Sequence, residues 1–295
     1  MKKSVYSIIT EQIVKRIEES GQLPWQKPWR EIGAYNVKSG KEYSYLNQMM
    51  LQHSGGYLTF NQIQELDGTL QKNAKSEIIT FYKTYDDKKE IQKDENGNVL
   101  LDDNGKPKHV KRFALRYYRV FSLVYVDGIE GKHINLNDSI RPIENAEAIM
   151  RGYITRSGVK FQSEPSDSAF YAPAIDLISV PNIKQFENPD EYYSTVFHEA
   201  VHSTGHKKRL SRKGFDSGMR FGSCDYSREE LVAEIGSCFL RRKVRIEDKR
   251  TFENSVSYID NWLNVLKRDD HMIVTAARQA EKAVRYILNE TPDHN

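Results

Sequence analysis

His198-Glu199-Ala200-Val201-His202 is the stretch on which the reading of this chain turns. It lies within Asn188–His206, a segment whose residue pattern reads as a helix. Residues four apart on a helix share a face, so both imidazoles can reach one metal ion. Glu199 points to an adjacent face, where it can take a proton from water at the metal's open position without being a ligand. This is the core of a zinc hydrolase site. A metal held only for stability has no use for the unliganded Glu199.

A catalytic zinc ion takes three protein ligands and leaves one position for water. After His202 the candidates are His206, Glu229, Glu230 and Glu234. An HExxHxxGxxH pattern would put the third ligand at position 208, which is Lys208, although Gly205 fits it. His206 lies one turn beyond His202, and three ligands from one helix face surround a tetrahedral ion poorly. A carboxylate from a second helix fits better, and Glu230-Leu231-Val232-Ala233-Glu234 begins 28 residues after His202. Glu230 and Glu234 share a helix face, so one can bind metal while the other hydrogen-bonds a ligand histidine. The stretch resembles the gluzincin branch of zinc peptidases, where the first carboxylate is the ligand and the residue four later supports a histidine. That resemblance makes Glu230 the expected third ligand of one Zn2+ ion, with Glu234 as its support or as the alternative ligand.

The rest of the chain is that of a water-soluble protein. Of its 295 residues 29% are charged, and the net charge is +3, which permits nucleic-acid binding without arguing for it. The longest apolar runs, such as Val120–Val126, fall far short of the ~18 residues of a membrane span. Lys2 and Lys3 are not followed by the apolar segment of a signal peptide. Cys224 and Cys238 are too few for a disulfide framework, so a reducing cytoplasm is expected.

Periodicity and stop signals predict helices at Ser4–Ser20, Asn47–His53 and Thr59–Leu66, the last capped by Thr59. Strands are expected at Glu77–Tyr85 and Phe113–Val126, with the polar segment 86–112 between them as a β-arm or a mobile insertion. A boundary near 128–142 separates an N-terminal domain, 1–130, from a C-terminal one, 131–295. The second half reads as helix Glu144–Arg156, strands Val159–Phe161 and Phe170–Val180, the helix of the metal motif, a basic loop Lys207–Tyr226, and helices Ser227–Lys243, Phe252–Arg268 and His271–Asn289. A few strands before a metal-binding helix, followed by more helices, suit an α+β catalytic domain.

The run from Tyr192 through His206, then Arg209-Leu210 and Tyr226–Gly236 (YSREELVAEIG), closely resembles the ArdC-like antirestriction family. In the first half the matching pieces are Pro24-Trp25-Gln26-Lys27-Pro28-Trp29, Asn36 with Ser39-Gly40 and Tyr43, Asn47, Thr59 with Gln62, and Tyr117–Phe121. TraC-type plasmid primases carry a related N-terminal region. The resemblance covers nearly the whole chain. It implies an N-terminal single-stranded DNA-binding domain of α+β type joined to a C-terminal zincin-like, gluzincin-type metallopeptidase domain. Such proteins are carried on mobile elements and protect incoming DNA from restriction. Three departures stand out: Tyr45 where the family usually has glycine, Tyr57 where it favours tryptophan, and 67–76 where it has a basic glycine-rich loop.

Binding of single strands without sequence preference wants aromatic platforms for bases and a cationic groove for phosphates. Trp25, Trp29, Tyr35, Tyr43 and Tyr45 interleave with Lys27, Arg30, Lys38 and Lys41, and Lys72 and Lys75 extend the cationic track together with Arg112, Arg116 and Arg119. The expected DNA contacts are Trp25, Lys27, Trp29, Arg30, Lys38, Tyr43, Lys72 and Lys75. Alternation along Phe113–Phe121 puts Phe113, Leu115, Tyr117 and Arg119 on one face and Arg116 and Tyr118 on the other. The bland reading is that tryptophans in a proline-rich turn pack beneath it and that the lysines are merely solvated. The cations Lys207, Lys208, Arg209, Arg212 and Lys213 either bring a phosphate backbone near the metal or cap the C-terminus of the metal helix. His206 is open to the same two readings.

The expected activity is zinc-dependent peptide hydrolysis on proteins at or near DNA, restriction enzymes and crosslinked proteins among them. The alternative is a protective single-strand-binding module whose zinc domain is structural or catalytically silent. Phosphodiester cleavage ranks below both, because nucleases more often use paired metals held by carboxylates.

Overall fold

The computed structural model describes residues 3–20, 23–25, 33–94, 97–102, 105–131, 142–212, 224–246 and 256–290. In α1 (Val5–Ser20), Ile9, Ile13 and Ile17 form the buried stripe that their helical spacing dictates. Leu23 and Trp25 continue it inward. There follow β1 (Tyr35–Asn36), α2 (Tyr45–Met50), β2 (Gly56–Leu58), α3 (Phe60–Glu65), β3 (Thr69–Leu70), β4 (Glu77–Ile91), β5 (His109–Ser122) and β6 (Val126–Asp127). Thr59 and Gln62 form a reciprocal capping box at the start of α3. The main sheet runs β1-β2-β5-β4, parallel between β1 and β2 and antiparallel elsewhere, while β3 and β6 form a separate pair.

β4 and β5 stay in register from Glu77 opposite Val120 to Asp87 opposite Val110, then slip before Ile91 pairs with His109. Single bridges from Lys93 to Val99 and from Leu101 to Pro107 carry the pairing further. The polar segment 86–112 is thus the outer part of a β-arm. β5 ends at Ser122, short of the Val126 read from sequence, because a 3-10 turn intervenes at Leu123–Tyr125.

The second half comprises α4 (Pro142–Ser157), β7 (Lys160–Glu164), β8 (Phe170–Ala172), β9 (Leu177–Pro181), α5 (Pro189–Thr204), α6 (Cys224–Val244), α7 (Val256–Arg268) and α8 (Met272–Leu288). β9 is the central strand, parallel to β7 and antiparallel to β8. The single strand expected over Phe170–Val180 is therefore two. Pro173 has no N–H to give a ladder, and Asp176 turns the chain with a φ of 54°. α5 packs on β9, α6 and α8. Phe252, the segment 132–141 of the expected boundary, and 213–223 of the basic loop lie outside the described residues.

One apolar interior unites α1, Trp25 and α2 with α4, α5, α6 and α8. No described helix is long and apolar enough to cross a membrane.

Candidate metal centre

Asn188 caps α5 by accepting the Glu191 N–H at 3.0 Å, and Pro189 presets the first turn. Tyr193, Val196, Phe197, Ala200 and Val201 turn into the interior and so fix where His198 and His202 point. α6 crosses close by, since a Cβ at Gly236 would meet Val201 Cγ2 at 2.8 Å. That close approach brings the α6 carboxylates to the imidazoles.

His198 Nε2 and His202 Nε2 lie 3.1 Å apart, and Glu230 places Oε2 3.5 Å from the first and Oε1 3.6 Å from the second. Atoms held about 2.0–2.2 Å from a tetrahedral ion lie roughly 3.3–3.6 Å from one another, so these three donors suit one ion. Among the described residues they are the one group of acidic, histidine or cysteine side chains so placed. Charge points the same way. Burial alone would lower the His198 pKa, but its hydrogen bond to Glu230 and the charges of Glu199, Glu230 and Glu234 raise it. Burial would raise Glu230, yet the hydrogen bond from His198 and the two imidazoles hold it below the usual carboxylate range. A cation between the three donors would offset this excess of negative charge.

The carboxylate that meets one of the two imidazoles from behind is Glu229, and not Glu234, to which that supporting role was expected to fall. Glu229 Oε1 lies 3.1 Å from His202 Nδ1. Arg212 grips the same carboxylate through Nε at 2.9 Å and through Nη2. Burial would raise the Glu229 pKa, but His202 and Arg212 lower it, so it is ionised. An ionised carboxylate can only accept, which makes Nδ1–H the donor and frees the Nε2 lone pair for metal. Glu229→Gln is expected to weaken cation binding about 10–100-fold in a competition titration against a chelating dye. Unchanged affinity would remove Glu229 from that role.

Glu234 sits one turn further along α6, where its Oε2 accepts the Trp25 Nε1–H at 3.1 Å. Burial pushes its pKa up to about 7, against the pull of Trp25 and His198. Tyr226 hydrogen-bonds Glu230 and lies within electrostatic reach of Glu199, which is itself buried. Sequence reasoning weighed Glu229 only as a candidate ligand, not as the partner of His202, and assigned no role to Tyr226. The signal for Tyr226 was its position four residues before Glu230, on the same helix face.

The basic loop resolves in part as a helix cap. Arg209 Nε donates to the Ser203 carbonyl at 2.7 Å, and Arg212 Nη2 donates to those of Val201 and His202 at 2.9 and 3.2 Å. His206 is buried, with Nδ1 accepting the Lys208 N–H at 3.2 Å, and stands outside the ligand group. Lys207 and Lys208 are exposed.

The expected DNA contacts scatter. Trp25 is only 2% exposed, edge-on to Trp262 and hydrogen-bonded to Glu234, so it is a core residue rather than a base platform. Tyr35 is buried too, and Tyr45 stacks flat on Phe239 with centroids 3.6 Å apart. Trp25 thus lies against α7 at Trp262 and α6 at Glu234, and Tyr45 of α2 lies against α6 at Phe239. Tyr43 is half-buried against Tyr57. Lys38 is exposed and paired with Glu65, and Lys72 and Lys75 are exposed. Lys27, Trp29 and Arg30 lie outside the described residues.

Comparison with known proteins matches both halves. Residues 3–121 match the N-terminal domain of anti-restriction factor ArdC, and residues 144–279 match the zincin-like metallopeptidase family MPTase-PolyVal. Two Escherichia coli proteins named DNA primase TraC are 29% and 30% identical over 97% and 98% of this chain. The matched region spans only 20% and 27% of their own length. Uncharacterized protein y4eC of Sinorhizobium fredii (strain NBRC 101917 / NGR234) is 28% identical over 98% of this chain and 93% of its own. The crystal structure of antirestriction ArdC protein from plasmid R388, Mn(II)-bound, superposes with a TM-score of 0.70 at 26% identity, covering 99% of this chain and all of that one. The metal-free form gives 0.70 at 28% identity, covering 98% of each chain. The α+β chain described above therefore belongs to the ArdC-like family, with an ArdC-type N-terminal domain followed by a zincin-like metallopeptidase domain.

Proposed function

We propose that this protein is a zinc-dependent peptidase that binds single-stranded DNA and acts on proteins associated with it, in the service of antirestriction. The observation that carries the reading is the convergence of His198, His202 and Glu230 beside the free carboxylate Glu199. Two imidazoles and one carboxylate are a donor set of catalytic zinc sites. A divalent cation there supplies Lewis-acid polarisation of the scissile carbonyl and makes water a stronger acid.

The remaining work falls to this chain's own residues. Glu199 takes the proton of the attacking water and returns it to the leaving amine. Glu229 keeps His202 in the ligating tautomer, and Arg212 holds Glu229. The Tyr226 hydroxyl, next to Glu230, can turn its hydrogen bond toward the oxyanion that develops on the carbonyl. The DNA part draws on the relatives' names, an antirestriction protein and DNA primases. Its place of action is the cytoplasm, where entering strands meet restriction enzymes.

Removing the metal is the test. Wild-type protein loaded with zinc or with manganese is incubated with a single strand carrying a bound or crosslinked protein, and fragments are read by mass spectrometry. Cleavage with one cation per chain, abolished by a chelator and restored by zinc, is the expected result. No cleavage with either metal fully loaded would leave protection by simple occupancy of the strand as the better account.

A further inference from the structure

The β4–β5 hairpin carries a surface that the metal centre does not use. Cross-strand partners share a face. Ile79, Phe81, Lys83 and Tyr85 therefore lie beside Tyr118, Arg116, Ala114 and Arg112, while Ile78, Thr80, Tyr82 and Thr84 lie beside Arg119, Tyr117, Leu115 and Phe113. The second face turns toward the helices. Ile78 and Leu115 join the main interior, and Arg278 of α8 lies 4.9 Å from the Tyr82 ring centroid. The first face is covered only at its base, where Ile79 and Val120 pack with Tyr57 and Tyr43.

Beyond that base the first face is open. Phe81, Tyr118 and Tyr85 are 37%, 43% and 46% exposed, and the Phe81 and Tyr118 centroids lie 5.0 Å apart. Arg116 stands opposite Phe81, and Lys83 is the next residue along β4 on that face. Both cations are exposed. Two carboxylates share the face: Glu77 is buried at its base, accepting from the Tyr57 hydroxyl and the Gln52 N–H, and Asp87 is held by Arg112 Nε at 2.6 Å, so neither stands unpaired against an anion on the open part. The outer edge of β4 is closed at Thr80, whose backbone N–H and carbonyl bond the Asn47 side chain at 2.8 Å each. A peptide strand adding there would have to displace that side chain. Same-face residues along a strand lie about 6.8 Å apart, roughly twice the 3.4 Å rise of stacked bases, so the face suits splayed bases rather than a duplex.

We propose that a single DNA strand lies across this face, with bases stacked on Phe81, Tyr118 and Tyr85 and phosphates on Arg116 and Lys83. The inference rests on the single-strand binding proposed above and moves its centre from the tryptophan-rich turn to the hairpin.

Fluorescence anisotropy with a labelled thymidine homopolymer tests it on the full chain. Phe81→Ala and Tyr118→Ala are each expected to weaken binding about tenfold, and the double variant about a hundredfold. Arg116→Ala is expected to reduce the slope of log affinity against log salt by about 0.7. Phe113→Ala, on the opposite face, is the control and keeps wild-type affinity and the wild-type thermal melt. If the wild type fails to bind, single-strand binding itself falls, and this placement with it. Tight binding by the wild type and the double variant alike overturns the placement alone. Equal loss in the double variant and in Phe113→Ala also overturns it, because the hairpin's stability rather than its face would then set affinity.

Discussion

Glu199→Gln is expected to lower peptide hydrolysis by about 10²–10⁴-fold while cation content and strand binding stay at wild-type level. Glutamine matches glutamate in shape and can still accept a hydrogen bond from water, but it cannot take its proton. Glu199 is 7% exposed and lies on α5 between the turns of His198 and His202, so an isosteric change leaves the packing intact. Metal analysis beside the hydrolysis assay separates loss of the base from loss of the ion. A variant as active as wild type with its cation bound would overturn the mechanism drawn here. Full protection of entering DNA in cells by that variant would show that proteolysis is not how protection works.

Arg212→Met is expected to reduce unfolding free energy by about 3–5 kcal/mol in urea titrations run with the metal chelated. Arg212 is buried and bonds Glu229, the Thr204 hydroxyl and two carbonyls at the end of α5. Its loss leaves the Glu229 carboxylate buried beside His202 without its guanidinium and strips the helix end of donors. Because the folded pKa of Glu229 is depressed, its contribution is complete above the ordinary carboxylate pKa and disappears as pH falls through the folded value. The variant's deficit should therefore shrink in acid. A loss below about 1 kcal/mol at neutral pH would mean that water replaces the guanidinium without cost.

Helical spacing put His198 and His202 on one face, and the resemblance of the ELVAE stretch to zinc peptidases pointed to Glu230; the fold does bring these side chains together. What spacing could not decide is which α6 carboxylate faces which imidazole. Glu229 and Glu230 are neighbours on one helix, and which of them meets which imidazole depends on contacts such as Gly236 on Val201 and on Arg212, from the loop that follows α5, which bonds Glu229. The same limit hid the fate of the aromatic residues. Trp25 and Tyr118 look alike as rings among cations, but one meets Glu234 and the other meets solvent, and only tertiary packing separates them. The β-arm was half legible: its Asn-Gly pairs mark turns, while a mostly polar composition with few apolar residues gave no period to tell strand from loop.

The interior shared by the two halves bears on how such a chain can be inherited. Trp25 reaches Glu234, Tyr45 lies flat on Phe239, and the α1 isoleucines pack in the same mass as the alanines of α8. A recombination event that joined the first half of one relative to the second half of another would create a mismatched seam, with apolar side chains facing the wrong shapes. The halves are then expected to be inherited as a matched pair. The alignments to the much longer TraC proteins run through both halves as one block, as fits a cassette passed on whole.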